Sequence, residues 1–212
     1  PTKSCQLDPI PTWLLKECID ELITAITVIV NQSIGQSTMP DDLKMAHITP
    51  LLKKLNLLIE ILKNYRPVSN LPFVSKIIEK HVDGQMTDHD EVHELIEDFQ
   101  SAYTKFSSTE SALLRVQSDL LMAIDTKGAA LLILLDLSAA FDTIDHQLLL
   151  NRLAHAHGLQ DSALQWMSSY LTRRKQSVVI NDTVSSPKEL ALLLPHPMCE
   201  AWSGRSFYLC HL

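Results

Sequence analysis

The residue with the clearest chemical potential is an aspartate that follows an apolar run. Residues 129–135 are seven consecutive apolar residues, and Asp136 comes directly after them. A run of this length between turn residues predicts a strand buried on both faces. Desolvating a carboxylate there is costly unless a cation offsets its charge, as Mg²⁺ held by one or two carboxylates and phosphate oxygens would. The alternative is that Asp136 caps the next turn through its own side chain.

Two cations have sequence contexts that suit an anionic ligand. Arg66 precedes Pro67, which disfavours a helix and keeps the backbone extended, so its planar guanidinium could face a phosphate. A surface arginine paired with a carboxylate explains the same pattern equally well. Lys105 lies close to a predicted helix N-terminus, and both features favour an anion. The basic triplet at residues 173–175 is more simply explained as a solvated turn than as a contact with nucleic acid.

The first half of the chain combines helical and extended patterns. Apolar residues at three- and four-residue steps predict a helix over residues 12–34. A short apolar run predicts a strand over 46–54 that ends at its two lysines. Residues 64–81 predict a turn followed by a helix. The acidic, histidine-rich stretch 85–97 predicts a solvated connection with a short helical turn.

The second half begins with a helix start signal. Residues 107–110 have the pattern of a capping box, in which a serine hydroxyl accepts a helix amide and Glu110 reaches back to the amide of the cap residue. Helices are also predicted over 145–156 and 161–171, and a strand over 176–180 enters a hairpin turn. The helix that follows the capping box is predicted to bury an apolar stripe made of Leu113, Leu114, Leu120, Leu121 and Ile124.

Four segments in this order resemble the reverse transcriptase of non-LTR (LINE-type) retrotransposons, from about residue 8 to about residue 190. They read NYRPVSNLP with SKIIEK, QSAY with STE, LDLSAAFDTIDH, and YL with QSV. No single segment decides the matter, but the four together in the correct order make the resemblance strong. The resemblance implies an α+β fold: the fingers and partial palm of a right-hand polymerase, helix-rich with a small incomplete sheet.

The resemblance also implies catalytic roles. Asp136 matches the first palm aspartate, which holds both Mg²⁺ ions of phosphoryl transfer, and the carbonyl of Leu137 is a further metal ligand. Phe141 matches the steric gate that excludes a ribose 2′-hydroxyl and so selects deoxynucleotides. In the complete enzyme the partners are an RNA template, a DNA primer and a deoxynucleotide.

The implied nucleotide contacts come from the cations described above. Arg66 matches the fingers segment that contacts the template or the incoming nucleotide. The family usually places an arginine after the aromatic residue that corresponds to Tyr103, whereas this chain has Thr104 there. Triphosphate binding therefore requires that the adjacent Lys105 substitutes for the missing arginine.

Two parts of the family pattern are absent from the sequence. The later palm hairpin with paired aspartates is missing. The Asp-Asp pair that the sequence does contain, Asp41-Asp42, precedes every other block and so is in the wrong place for this hairpin. The glycine-rich block expected after Leu190 is replaced by the unrelated residues 191–212. We therefore expect residues 1–190 to be fingers and partial palm and 191–212 to be a non-homologous tail, which we attribute to a frameshift near Leu190. With one metal-binding carboxylate the chain is expected to be inactive by itself; the alternative is a non-catalytic RNA- or protein-binding module derived from the fingers.

Composition limits the remaining classes. The chain has 212 residues, 46% of them hydrophobic, with 5 glycines and 10 prolines, which excludes a collagen-like or wholly disordered protein. Its net charge of −7 by itself argues against an electrostatic nucleic-acid binder. The start of the chain lacks a signal-peptide pattern, and its longest uncharged apolar stretch is too short to span a bilayer. These features predict a soluble intracellular protein with no membrane partner, and four cysteines without a CxxC pair suit a reducing compartment.

Overall fold

The structure is a computed structural model that describes residues 6–102, 104–135, 144–181 and 183–190. These residues form a mixed α and β fold with a small open sheet. The helices are α1 (Thr12–Glu17), α2 (Ile19–Gly35), α3 (Phe73–Val92), α4 (Thr109–Asp125), α5 (His146–Ala156) and α6 (Asp161–Leu171). The strands are β1 (Met45–Leu52), β2 (Tyr65–Asn70), β3 (Lys175–Ile180), β4 (Thr183–Val184) and β5 (Lys188–Glu189).

The sheet is built around β1. β2 pairs with β1 in antiparallel register, with Arg66 opposite Leu51 and Pro67 opposite Pro50. β3 pairs with β1 on the other side in parallel, and the short strands β4 and β5 add antiparallel pairs to β3. β1 thus joins the Arg66 strand to the C-terminal part of the described chain.

The hydrophobic core lies among α2, α3, α5 and α6. Trp166 on α6 is 4% exposed, stacks on Tyr170 at 5.3 Å between ring centroids, and donates its indole N–H to Ser33 Oγ on α2 at 3.0 Å. Burying aromatic rings of this size contributes much of the apolar stabilisation of a small core. The other members of the buried cluster are Val30, Met39, Ile78, Val82, Ile144, Leu149, Leu153, Leu159, Met167 and Leu171.

A buried polar cluster joins α3, α6 and the start of β3. Glu79 accepts hydrogen bonds from the Tyr170 phenol at 3.0 Å and from Ser75 Oγ at 3.4 Å. Arg174 lies over the Tyr170 ring at 4.6 Å and donates Nη1 to the Tyr170 carbonyl at 3.1 Å. Glu79 and Arg174 are 2% and 1% exposed, so this cluster, here called the Glu79 cluster, is part of the core.

Two contacts between distant parts of the sequence fix the ends of α3. At its N-terminus, the Phe73 amide donates to Asp8 Oδ1 at 2.6 Å, so a residue 65 positions away supplies the cap. Near its C-terminus, Asp90 pairs with buried His157 Nδ1 at 2.9 Å, and His89 Nε2 lies 2.8 Å from the His157 carbonyl. Both ends of α3 are therefore tied to segments outside the helix.

Several predicted elements are confirmed. The strand that ends at the lysines is β1, the helices over 145–156 and 161–171 are α5 and α6, and the strand over 176–180 is β3. Asp145 caps α5 by accepting the Leu148 amide at 2.8 Å. The helix predicted over 12–34 is present but interrupted at Cys18, whose φ and ψ of −101° and 24° separate α1 from α2.

Two predictions for the region before and within α3 are wrong. Residues 65–70 are strand β2 rather than a turn, because they pair with β1 along their whole length. The stretch 85–97 is not mainly a solvated connection: α3 continues to Val92, and Thr87 and Asp90 are buried. The pairing of Asp90 with His157 explains why this acidic segment stays helical and packed.

The predictions for α4 and the following run are wrong as well. The capping box uses Ser108 and Ser111 rather than Glu110, one residue later than predicted. α4 has no buried residue, and the apolar stripe is open: Leu113, Leu114, Leu121 and Ile124 are 53–69% exposed. Residues 129–135 do not form a strand, and Leu131 and Leu135 are 84% and 88% exposed. A strand buried on both faces needs strands or helices on each side, and no described element covers this run.

Within the described residues, none of the helices is long and apolar enough to cross a bilayer.

Glu79 gives a pH-dependent prediction for stability. Burial raises the pKa of Glu79 from 4.5 to about 7, against the opposing charge of Arg174. A raised pKa means that ionising Glu79 costs more free energy in the folded state than in the unfolded state. The contribution of Glu79 to the free energy of unfolding is therefore fully present below pH 4.5 and is lost as the pH rises through about 7. We expect Glu79→Gln to remove this dependence and to be more stable than the native chain by up to about 3 kcal/mol at alkaline pH.

Urea denaturation across the pH range measures this effect. Asp88→Asn, which changes an exposed carboxylate on the same helix, is the matched control and should follow the native curve. If the unfolding free energy of E79Q depends on pH in the same way as that of the native chain, Glu79 is not the titrating group.

Candidate functional site

Arg66 is displayed on β2 as an exposed side chain. The strand pairing keeps its backbone extended, as the following proline predicts, and no carboxylate of the described residues forms an ion pair with its guanidinium. The alternative of an arginine neutralised by a neighbouring acid is therefore not what this part of the structure shows. A guanidinium in this state keeps all its donors available for a phosphate.

Lys105 is less available than Arg66. Its Nζ lies 3.3 Å from Glu91 Oε1 at the end of α3, although both side chains remain exposed. Thr104, at the position where the resemblance expects an arginine, turns its hydroxyl back to the Gln100 carbonyl at 3.0 Å.

A cavity of about 420 Å³ opens where α4 begins. Its lining includes Ser108, Thr109 and Arg115, while Lys105 is not part of it. Arg115 lies over the Phe99 ring at 4.6 Å and donates Nη1 to the Asp98 carbonyl at 3.1 Å. The sequence analysis did not single out Arg115, which lies one turn after Ser111 in α4.

The basic triplet is not a uniform solvated turn. Arg174 is buried in the Glu79 cluster, whereas Arg173 is 63% exposed and adopts φ of 57°. This left-handed conformation turns the chain so that neighbouring side chains point in different directions. The prediction of a solvated turn is therefore wrong for Arg174, whose ring contact with Tyr170 was not visible in the sequence.

Arg173 and Lys44 share one carboxylate. Asp41 accepts from buried Lys44 Nζ at 2.8 Å and lies 3.0 Å from Arg173 Nη1. The hydrogen bond from Lys44 lowers the pKa of Asp41, and the charges of Arg173 and Lys175 act in the same direction. These residues line a polar cavity of about 570 Å³ together with Asp42, Met45 and Glu189. Asp41 thus forms ion pairs with two cations.

The predicted catalytic residues lie outside the described part of the chain. Asp136, Leu137 and Phe141 fall in the gap between residues 135 and 144, outside the described residues. Within the described ranges, no three His, Cys, Asp or Glu side chains are grouped so that they could hold a metal ion.

Comparison with known proteins identifies the family. A family model described as reverse transcriptase (RNA-dependent DNA polymerase) matches residues 52–195. The chain belongs to this reverse transcriptase family. The matched range contains all five predicted site residues, which are Arg66, Lys105, Asp136, Leu137 and Phe141.

Curated relatives of this reverse transcriptase chain come from mobile elements of flies. The probable RNA-directed DNA polymerase from transposon BS of Drosophila melanogaster is 24% identical over 91% of this chain and 21% of the relative. The RNA-directed DNA polymerase from mobile element jockey of Drosophila funebris is 27% identical over 83% of this chain and 19% of the relative. A third, the probable polymerase from transposon X-element of Drosophila melanogaster, is 26% identical over 89% of this chain.

These matches confirm the predicted relationship to reverse transcriptases of retrotransposons. The chain spans about a fifth of the length of these relatives. What the relatives do as whole proteins is therefore carried to this chain only as a proposal.

The two arginines of the triplet give a paired stability prediction. Arg174→Ala removes a buried guanidinium and leaves the Tyr170 carbonyl and Glu79 without it, so we expect a loss of about 2–4 kcal/mol in unfolding free energy. Arg173→Ala removes an exposed pair with Asp41 and should cost less than about 1 kcal/mol. Chemical denaturation of both variants at neutral pH tests this, and equal losses would argue against the buried role of Arg174.

Proposed function

We propose that this chain is part of a retrotransposon reverse transcriptase, whose complete enzyme synthesises DNA on an RNA template. The observation that carries the proposal is the family match over residues 52–195, supported by relatives whose names give this activity. In this proposal residues 1–190 contribute the fingers and part of the palm, and residues 191–212 are a non-homologous tail, of which the family match includes only residues 191–195.

Each predicted site residue keeps the role that the family resemblance implies. Asp136 and the Leu137 carbonyl are the proposed metal ligands, and Phe141 is the proposed gate against a ribose 2′-hydroxyl. A divalent metal, proposed to be Mg²⁺, would supply charge stabilisation for nucleotidyl transfer when bound. The described residues do not by themselves form a metal site.

Arg66 is the best-supported anion-binding residue of the proposal. It is exposed on an ordered strand, and no acid of the described residues neutralises it. Lys105 is a weaker candidate because Glu91 shares its charge. A nucleotide or template phosphate would have to displace Glu91 from Lys105, whereas Arg66 is ready to bind.

The chain is proposed to be inactive by itself. Two-metal nucleotidyl transfer needs more carboxylates than Asp136 supplies. The paired aspartates Asp41 and Asp42 do not fill this need, since Asp41 is held by Lys44 and Arg173. The second candidate function, a non-catalytic RNA-binding module, is favoured by Arg66, which forms no ion pair with an acid of the described residues.

RNA binding through Arg66 is directly testable. We expect Arg66→Gln to weaken binding of short single-stranded RNA and to lower the slope of log affinity against log salt by about 0.7. Lys105→Gln should have a smaller effect because Glu91 already neutralises much of its charge. Filter binding over a salt titration measures both variants, with Arg173→Gln as the control for an arginine that has an acidic partner. An unchanged slope for R66Q would remove Arg66 from the proposed interface.

The inactivity of the chain is tested by template-primed nucleotide incorporation. We expect no DNA synthesis from the chain with an RNA template, a DNA primer, deoxynucleotides and Mg²⁺. Incorporation that disappears in Asp136→Ala would show that the chain is a working polymerase. The frameshift hypothesis has its own test, since reading the coding nucleotides after Leu190 in the other two frames should restore the glycine-rich block and then the paired aspartates.

A further inference from the structure

A cavity of about 330 Å³ lies where α2, α3 and α6 meet the connection between α5 and α6, residues 157–160. Twelve residues line it, and none of them is Asp, Glu, Lys or Arg. The two cavities described above differ in this respect, since Arg115 and Asp119 line one and Asp41 lines the other. Small-molecule sites in proteins are commonly cavities of at least about 300 Å³ with mainly apolar walls and a few polar groups. This cavity therefore has the form of a site for an uncharged small molecule.

The walls of this cavity suit an aromatic ring. Trp166, which is part of the lining, stacks on Tyr170 at 5.3 Å between ring centroids. Its indole N–H is already donated to Ser33 Oγ at 3.0 Å, so Trp166 has no donor left for a ligand. The thioether side chains of Met86 and Met167 also line the cavity, and thioether sulfur makes favourable contacts with aromatic rings. An aromatic ring is therefore the group that these walls would hold best.

The connection that closes the cavity is held against α3. Asp90 pairs with His157 Nδ1 at 2.9 Å, and His89 Nε2 donates to the His157 carbonyl at 2.8 Å. The next residue, Gly158, lines the cavity and adopts φ of 66°, a left-handed conformation that glycine adopts without strain. These contacts fix the connection without any ligand, so the cavity is preformed.

One polar group of the lining has a defined hydrogen-bonding role. Because a carbonyl oxygen can only accept, His89 Nε2 must carry the proton in its contact with the His157 carbonyl. In the neutral imidazole the other ring nitrogen, Nδ1, is then an acceptor. No hydrogen bond among the described residues uses Nδ1 of His89. A ligand with one N–H donor would therefore complement the ring of His89.

We propose that this cavity binds a neutral, fused aromatic heterocycle with one N–H donor, of the size of indole. A dry apolar cavity of about 150 Å³ holds benzene, so about twice that volume suits a molecule of two fused rings. The proposed ligand site shares no residue with the polymerase site, because none of Arg66, Lys105, Asp136, Leu137 and Phe141 lines the cavity. It is therefore a function beyond the proposed reverse transcription.

Two other occupants fit the cavity less well. A nucleotide would bring its phosphate charge to a lining that contains no Lys or Arg, and it would lose hydration without gaining an opposite charge. A metal ion would find one ligand at most, since His89 is the only His, Cys, Asp or Glu among the residues that line the cavity. The absence of charge in the lining therefore favours a neutral molecule over both.

Titration of the purified chain with indole, followed by calorimetry and by saturation-transfer NMR, tests the proposal. We expect saturable binding of one indole per chain. Ala163→Phe places a large ring at the cavity and should weaken indole binding at least about tenfold. Gln165→Phe is the matched control: it introduces the same ring at another exposed position of α6, outside the lining, and should bind indole as the native chain does.

A second comparison tests the role of His89. The native chain should bind benzofuran, in which an oxygen replaces the N–H group of indole, at least about threefold more weakly than indole. His89→Leu should abolish this preference, because the acceptor Nδ1 is removed while the other walls remain. Both ligands are measured on the same variant, so their affinity ratio does not depend on its stability. Saturating indole should leave the binding of short RNA unchanged, which separates this proposal from the one for Arg66.

Three results would overturn the proposal. The first is the lack of saturable indole binding to the native chain. The second is the same indole affinity in Ala163→Phe and in Gln165→Phe, which would place the bound indole outside this cavity. The third is tighter binding of adenosine monophosphate or of N-acetyltryptophanamide than of indole, which would assign the cavity to a nucleotide or to a polypeptide side chain instead.

Discussion

The structure depends on burying one carboxylate and one guanidinium where α3, α6 and the start of β3 meet. Such groups are costly in a low-dielectric interior unless other groups hydrogen-bond them. Tyr170 serves both, because its phenol binds Glu79 and its carbonyl binds Arg174. Each of the three elements thus supplies one member of the cluster, while Glu79 Oε2 and Arg174 Nη2 are buried without a hydrogen-bond partner among the described residues. β3 is fixed in this way, and through it β1 and the strand that carries Arg66.

The sequence predicted those elements whose limits are set by nearby residues. α5 begins at the cap supplied by Asp145, and α6 and β3 follow local patterns of apolar residues. β2 was missed because its six residues include Pro67 and little apolar alternation, so that only pairing with β1 makes it a strand. The burial of Arg174 was missed for a similar reason: three adjacent cations give no sign of which one meets Tyr170.

The exposed apolar surfaces show a further limit of sequence patterns. The leucines of α4 and the run 131–135 were correctly recognised as apolar, yet the structure leaves them open. A helical stripe indicates that a face requires cover, whereas the cover itself belongs to other residues. The same reasoning applies to Arg66. Its extended backbone follows from the proline after it, but the availability of its charge depends on which acids lie nearby.

This dependence on neighbours also resolves the objection raised by net charge. A net charge of −7 is a sum over the whole chain, whereas a ligand responds mainly to charges within a Debye length of about 8–10 Å. Lys44 and Arg173 share Asp41, and Lys105 has Glu91, so these cations offer an anion little. Arg66 has no such partner among the described acids, and Lys63 precedes it by three residues. Net charge therefore describes the average surface of this molecule and does not show that an individual cation such as Arg66 lacks an acidic partner among the described residues.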